Sequence, residues 1–250
     1  MATILAVHAH PDDLDILAGG TLAHLSALGH RVVVATATAG EGGSADHGPQ
    51  ETGRLRRAEA AAAAAHIGAD YRCLGLPDLG VFNDDPSRRA VTELLRDVRP
   101  DVVIAAAPAD YHPDHEAISA LARDACFAAP VANYRTGGAA PLAGIPTLYF
   151  TDAIGGRDRD GAPLPRDFGV DITRLMPTKA LMVAEHRSQV AWVRKQHGVS
   201  DFLADMEAWS RRVGQDFGVG YAEGFRQYSH TPYPRQPVLQ QMVGPLLINP

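Results

Sequence analysis

The chain has 250 residues, of which 46% are hydrophobic, and it carries a formal net charge of −6 at pH 7. This length and composition allow a full buried core and favour a single α/β domain over residues 1–250. The acidic balance provides no positive field to attract phosphate backbones, which argues against nucleic acid as a partner.

The cysteine content and the N-terminus indicate a cellular compartment. Cys73 and Cys126 are too few for a disulfide framework and are interpreted as small buried hydrophobic residues in a reducing environment. The segment from Met1 to Leu5 lacks a basic region, and no apolar stretch approaches the ~20 residues of a membrane helix. We therefore expect a cytoplasmic protein without a membrane partner.

The first 130 residues alternate between strand and helix patterns. Short apolar runs predict strands, and apolar residues at helical spacing predict helices. The predicted strands are residues 4–7, 31–38, 70–74 and 101–107, and the predicted helices are residues 18–28, 54–67, 88–98 and 114–128. This alternation predicts a Rossmann-like, mostly parallel sheet of order 3-2-1-4-5 with helices on both faces.

The second half of the chain is less regular and is rich in glycine and proline. We expect strands at 147–151 and 170–172, helices at 177–193 and 202–217, and an extended C-terminal tail over 232–250. The apolar end from Val238 to Ile248 fits either a subunit contact or packing on its own domain, which leaves a homo-oligomer open.

Two short segments combine histidine and aspartate beside a proline: His10-Pro11-Asp12-Asp13 and His112-Pro113-Asp114-His115. The first follows predicted strand one and the second follows predicted strand four. In the predicted order these strands are neighbours whose connections leave in opposite directions, and ligands bind outside the carboxyl ends of strands at such a point. The two segments are therefore expected to meet in one crevice.

Together the segments offer the ligands of a catalytic zinc centre, which takes three protein ligands and keeps one position open. His10, Asp13 and His115 would supply two imidazoles and one carboxylate. Asp12, next to a ligand, is then placed to act as the general base.

The second segment also offers an electrophilic group. A protonated His112 could stabilise the oxyanion and protonate the leaving amine, and Asp114 could hydrogen-bond its ring and keep it charged. Taken singly, each segment also fits a turn or a helix N-cap, with Asp13 or Asp114 as the capping residue.

Three other interpretations stay open. The segment from His8 to Asp12 matches the first half of the H-x-H-x-D-H signature of metallo-β-lactamase-like hydrolases, although Asp13 replaces its last histidine and the parallel sheet is wrong for that fold. A metal-dependent phosphoesterase would usually bind two metals. A non-catalytic carbohydrate-binding protein could also keep the same residues, in a cleft that is closed.

Ala9-His10-Pro11-Asp12-Asp13 and His112-Pro113-Asp114-His115 are the marks of the LmbE/PIG-L family of zinc-dependent N-deacetylases, which the sequence resembles. The resemblance covers roughly residues 3 to 190. It extends through further segments: Thr38–Gly42, Arg56–Ala60, Leu76–Asp78, Lys179 and His186–Gln189.

The resemblance implies a single Rossmann-like domain with one Zn²⁺ per chain, which removes an acetyl group from an N-acetylglucosamine-type amino sugar or its conjugate. It implies the same roles as the residues themselves: ligands His10, Asp13 and His115, base Asp12, and His112 with Asp114 behind it.

The resemblance also implies three substrate contacts, because Glu41, Arg56 and Asp78 stand where relatives place sugar-contacting side chains. An i,i+3 pair with Glu59 on a solvated helix face explains Arg56 equally well. The chain departs from many relatives at Leu14, where they have an acidic residue.

Overall fold

Within residues 1–197 and 201–249, the part of the chain that the computed structural model describes, eight strands and eight α-helices are found. The strands are β1 (Thr3–His8), β2 (Arg31–Thr36), β3 (Asp70–Cys73), β4 (Val102–Ala105), β5 (Thr147–Thr151), β6 (Phe168–Asp171), β7 (Ala222–Tyr228) and β8 (Leu247–Ile248). The helices are α1 (Asp13–Ala27), α2 (Pro49–Ala65), α3 (Asp85–Val98), α4 (Pro113–Ala128), α5 (Met176–Ala184), α6 (Arg187–His197), α7 (Phe202–Asp216) and α8 (Val238–Val243).

All eight strands form one sheet in the order β3-β2-β1-β4-β5-β7-β6-β8. The pairs among β1 to β5 are parallel, which confirms the predicted order 3-2-1-4-5. The remaining three strands extend this sheet with antiparallel pairs, and β7 and β8 have no counterpart in the sequence prediction. A doubly wound sheet of this kind is not the fold of metallo-β-lactamase-like hydrolases, so that interpretation is set aside.

Apolar side chains form one layer on each face of the sheet. Along β1, Ile4 and Ala6 pack with the layer under α1, α2, α5, α7 and α8, whereas Leu5 and Val7 pack with the layer under α3 and α4. The alternation follows from the two-residue repeat of a strand. Since both faces are covered, β1 is apolar throughout, and the predicted placement of helices on both faces is confirmed.

Helix α1 and the helices after β6 differ from the prediction. Helix α1 begins at Asp13, five residues earlier than predicted, so the first histidine segment leads directly into it. The helix predicted over 177–193 is divided between α5 and α6. At the division the buried ring of His186 lies with Nε2 2.6 Å from Oδ2 of Asp15, and this contact ties the chain to α1.

Residues 232–249 do not run as an extended tail. They contain α8 and then β8, which pairs with β6 at the edge of the sheet. Leu239 and Val243 are fully buried in the layer that also holds α1, so this apolar end packs on its own domain.

Neither cysteine is in a disulfide: Cys126 is fully buried, as expected, and Cys73 is half-buried. Among the helices in the described ranges, none combines the length and the apolar character needed to cross a membrane.

Candidate metal centre and active-site cleft

The two histidine segments meet at the carboxyl ends of neighbouring strands. Strands β1 and β4 pair in parallel, and the chain leaves β1 through His10 and leaves β4 through the loop before α4. As a result Nδ1 of His10 and Nε2 of His115 are 3.1 Å apart, although 105 positions separate the residues. The convergence predicted from the sheet order is therefore observed.

Three atoms from the predicted ligand residues form a compact triangle. Besides the 3.1 Å between the two imidazole nitrogens, Oδ2 of Asp13 is 3.4 Å from Nδ1 of His10 and 3.4 Å from Nε2 of His115. A tetrahedral zinc ion with bonds of about 2.0–2.2 Å requires ligand atoms about 3.3–3.6 Å apart. The two 3.4 Å distances lie in this range and the 3.1 Å distance between the imidazole nitrogens is slightly shorter, so a small outward shift of one ring lets the three side chains hold one zinc-sized ion.

A carboxylate outside the triangle faces the second nitrogen of His10 and another faces that of His115. Nε2 of His10 is 3.1 Å from Oδ1 of Asp78, and Nδ1 of His115 is 3.1 Å from Oδ1 of Asp110. Each carboxylate favours a proton on the nitrogen it faces, which turns the lone pair of the other nitrogen toward the triangle. Carboxylate–histidine–metal chains have this arrangement. Asp110, which is fully buried, was not predicted from the sequence.

The buried carboxylates around the triangle favour the protonated, positively charged form of the two histidines. Burial lowers the pKa of His10 and that of His115, but nearby carboxylates, above all Asp13, outweigh it and raise the pKa of both. Burial by itself raises the pKa of Asp13, yet His115, His8 and His10 together hold that pKa well below its usual range. Three imidazoles thus surround one buried carboxylate.

His8 belongs to this cluster without being one of the predicted ligands. Its ring is fully buried at the end of β1, and its Nδ1 lies 2.5 Å from Oδ2 of Asp13. The same oxygen accepts a hydrogen bond of 2.7 Å from the backbone N–H of His10. Asp13 is therefore held from two sides, and its carboxylate turns back toward the ligands.

Asp12 immediately precedes α1, but its carboxylate does not cap the helix. Instead Oδ1 accepts a hydrogen bond of 2.8 Å from Nη2 of Arg56, whose Nη1 donates to the carbonyl of Gly40 at 2.9 Å. Both side chains are largely buried, and Glu59 on the same helix accepts hydrogen bonds from Ser188 instead. The alternative of a solvated pair between Arg56 and Glu59 is therefore wrong, and Arg56 orients Asp12.

His112 is the N-cap of α4. Its Nδ1 accepts a hydrogen bond of 3.2 Å from the backbone N–H of Asp114, so the proton of the neutral ring sits on Nε2. The expected contact of the Asp114 carboxylate with this ring is replaced by others: it accepts from the backbone N–H groups of Leu79 and Val81 at 2.7 and 3.3 Å. Burial, together with His10 and His115, lowers the pKa of His112, contrary to the expectation of a charged ring.

The predicted substrate contacts take different places. Glu41 accepts a hydrogen bond of 2.9 Å from the backbone N–H of Asp78, and Gly42 donates to the Asp78 carboxylate at 2.9 Å. Glu41 thus holds the loop that carries Asp78, while Asp78 and Arg56 line the cleft. Leu14 is 1% exposed and belongs to the apolar core.

A cleft of about 760 Å³ opens over this cluster. The predicted ligands, the predicted base and His112 line this cleft, so the site is accessible from outside. The closed cleft expected for a non-catalytic carbohydrate-binding protein is not observed. The residues that line the observed cleft are His10, Asp12, Asp13, Ile16, Gly42, Gly43, Arg56, Asp78, Leu79, Tyr111, His112, His115, Ile154, Gly155, Gln189, Trp192, Val193, Phe202, Asp205, Met206, Ala208, Trp209 and Arg212.

Comparison with known families identifies the family of the segment that carries this site. Residues 5–126, which contain both histidine segments, match the PIG-L family, described as GlcNAc-PI de-N-acetylase. A 1D-myo-inositol 2-acetamido-2-deoxy-alpha-D-glucopyranoside deacetylase from Kineococcus radiotolerans is 30% identical over an alignment of 248 residues, and the match covers 75% of this chain and 68% of that protein.

A second relative covers less of its own length. Deacetylase 1 of the same description from Saccharopolyspora erythraea is 37% identical over an alignment of 150 residues, and the match covers 45% of this chain and 49% of that protein. The chain thus spans about half the length of this relative. Among solved structures, the N,N'-diacetylchitobiose deacetylase from Pyrococcus horikoshii superimposes with a TM-score of 0.78 at 25% identity, covering 95% of this chain and 88% of that chain.

Proposed function

Because the chain belongs to the PIG-L family of de-N-acetylases, we propose that it hydrolyses the acetamide of an N-acetylglucosamine-type amino sugar or its conjugate, with one zinc ion per chain. The substrate is a small molecule, and the products are acetate and a free amine. The relatives named above act on N-acetylated sugar derivatives, which supports this substrate class.

The ligands of the metal in this proposal are His10, Asp13 and His115, whose three atoms form the 3.1–3.4 Å triangle. When bound there, zinc supplies a Lewis acid that polarises the acetamide carbonyl and makes water acidic enough to lose a proton near pH 7. The carboxylates of Asp110 and Asp78 lie 3.1 Å from the outer nitrogens of these rings, which favours the tautomers whose other nitrogen can bind a metal.

Asp12 carries the proton in this reaction. Its carboxylate, held by Arg56, takes a proton from the attacking water while the new C–O bond forms. The same proton passes to the nitrogen of the sugar as the C–N bond breaks, which leaves a free amine and acetate. Nε2–H of His112 donates a hydrogen bond to the carbonyl oxygen as negative charge develops on it.

One observation carries the proposal: the ligand triangle and a carboxylate that caps nothing lie on the floor of one open cleft. A purely structural metal site would be closed by a fourth protein ligand. A helix cap would use the Asp12 side chain on backbone N–H groups. The Asp12 carboxylate caps no backbone N–H group and instead accepts from Arg56 at the open cleft, which favours catalysis.

Acetate release from a panel of N-acetylated glucosamine derivatives, with metal content measured in the same samples, tests the proposal. Wild-type protein should release acetate. Asp12→Ala and the isosteric Asp12→Asn should lose turnover while still binding zinc, because neither change removes a predicted ligand.

The matched control is Asp46→Ala, which removes an exposed carboxylate that pairs with exposed Lys195. It should leave both acetate release and metal content unchanged. Full turnover in Asp12→Asn would show that the base is elsewhere, and wild-type protein that releases no acetate from any member of the panel would contradict the proposed function.

A further inference from the structure

The cleft has a polar floor and an apolar wall, and the reaction uses only the floor. The wall is formed by one face of α6 and one face of α7. Its apolar members are Trp192 and Val193 on α6 and Phe202, Met206 and Trp209 on α7. The spacing along α7, at i, i+4 and i+7, places them on a single helix face. Both tryptophans of the chain lie here.

Trp209 is held in place by its surroundings. Gly156 has φ of +65°, and a Cβ atom there would lie 2.7 Å from Cη2 of the indole, so the ring lies directly against this turn. The guanidinium of Arg166 is 5.8 Å from the centre of the ring and is itself fixed by ion pairs of 2.7 Å with Asp152 and Asp216. The indole is thus a preorganised surface, and ordering it at binding requires little further entropy.

A strained residue, Leu79, adds another apolar group to the lining of the cleft. Leu79 has φ of +60°, a conformation that residues other than glycine rarely adopt. Its backbone N–H is fixed by the Asp114 carboxylate at 2.7 Å, and its side chain is 69% exposed at the edge of the cleft. Strain of this kind persists where the surrounding structure imposes it, and it is concentrated at functional sites.

These apolar side chains need an occupant of matching chemistry. The cleft volume of about 760 Å³ lies in the range of sites that hold drug-sized ligands, and a single amino-sugar ring is smaller than such ligands. A hydroxylated second ring would leave polar groups against Val193, Phe202 and Met206 without hydrogen-bond partners, which is unfavourable. Among the described side chains of the same two helices, Gln189, Asp205 and Arg212 also line the cleft, so hydroxyls of a second ring would find partners there only beside these three side chains.

We propose that the substrate of the proposed deacetylase carries an apolar aglycone, an alkyl or aryl group linked to the amino sugar, that rests between the α6–α7 wall and Leu79. This inference depends on the proposed function for its reaction. The sugar and its acetamide occupy the polar floor near His10 and Asp12, and the aglycone extends toward Trp209.

Two glycosides whose aglycones share the same six-membered carbon ring test the proposal. In one, N-acetylglucosamine is linked to cyclohexanol; in the other, with the same anomeric configuration, it is linked to myo-inositol, which has the same ring with added hydroxyls. Acetate release should show kcat/KM at least about 10-fold higher for the cyclohexyl compound, mainly through a lower KM, as expected when one apolar ring is buried.

Two variants locate the effect. Trp209→Ala should remove most of the preference for the cyclohexyl compound. Leu79→Gly should reduce it without loss of folding, because glycine adopts positive φ more readily than leucine. Phe127→Ala, which truncates a half-exposed ring on α4, is the control and should keep the preference unchanged.

Equal kcat/KM for the two compounds, or a higher value for the inositol compound, overturns the aglycone proposal and leaves the deacetylase proposal intact. If neither compound releases acetate, the panel of N-acetylated glucosamine derivatives decides the deacetylase proposal. Calorimetry of the two uncleaved glycosides then decides the aglycone proposal: tighter binding of the cyclohexyl compound supports the apolar wall, whereas equal or absent binding overturns it.

Discussion

Arg56→Met is the substitution that most sharply separates an orienting role from a surface role. The guanidinium donates to Oδ1 of Asp12 at 2.8 Å and to the carbonyl of Gly40 at 2.9 Å. Arg56 is 4% exposed and Asp12 is 8% exposed. Methionine keeps an unbranched apolar stem of similar length but leaves the Asp12 carboxylate without its partner.

The expected magnitude follows from these contacts. Breaking a buried ion pair by removing one partner costs about 3–5 kcal/mol, and the open cleft beside Asp12 favours the lower end. For a chain of this size, about 3 kcal/mol corresponds to a fall in Tm of roughly 6–12 °C. A base displaced by about 1 Å lowers the rate about 100-fold, so kcat should fall by that order.

Thermal unfolding and acetate-release kinetics on the same preparations test the expected falls in Tm and in kcat. Arg57→Met is the control, because Arg57 is the next residue on the same helix and is exposed; it should leave Tm and kcat unchanged. If Arg56→Met shows a Tm and a kcat equal to those of wild type, the account of Asp12 as a base held by Arg56 is refuted.

Three further predictions concern other contacts. Asp110→Asn should weaken zinc binding about 10- to 100-fold in a chelator competition, because its carboxylate lies 3.1 Å from Nδ1 of His115; unchanged affinity would contradict this. Glu223→Gln should lower the free energy of unfolding in urea by about 3–5 kcal/mol, because buried Lys179 donates to it at 2.7 Å; a loss below about 1 kcal/mol would argue against the pair. Hydrogen bonds from Thr136 and from three backbone N–H groups lower the pKa of Glu93 to about 2, so Glu93→Gln should be less stable than wild type at pH 7, with the difference shrinking as the pH falls from about 4.5 toward 2; a difference independent of pH would refute it.

The sequence was sufficient to predict where the two histidine segments meet. Strands β1 to β5 are buried runs linked by helices, and the rule for parallel sheets then places the ends of β1 and β4 side by side. No knowledge of side-chain direction was needed for that step. His10, Asp13 and His115 meet at one point for the same reason.

The groups around the ligands could not be predicted in this way. Whether Asp114 faces His112 or the backbone of Leu79 depends on how two loops from different strands lie against each other, and no local pattern records it. Asp110 looks like an ordinary loop residue in the sequence, and only its 3.1 Å contact with His115 reveals its place.

Strand β7 was missed for a related reason. Its sequence, Ala222–Tyr228, has a glycine and several polar residues in place of an apolar run. Glu223 is nevertheless buried, because Lys179, Thr21 and the backbone of Gly20 satisfy its carboxylate from distant parts of the chain. A buried charge whose partners are some 40 to 200 positions away leaves no periodic signal.

Anomalous diffraction at the zinc edge, from crystals of the metal-loaded protein, tests the central claim most directly. The account predicts one peak per chain, about 2.0–2.2 Å from Nδ1 of His10, Oδ2 of Asp13 and Nε2 of His115. Two peaks bridged by a carboxylate would favour the phosphoesterase alternative. A single peak away from these three atoms, such as one between His10, Asp78 and Asp114, would contradict the account.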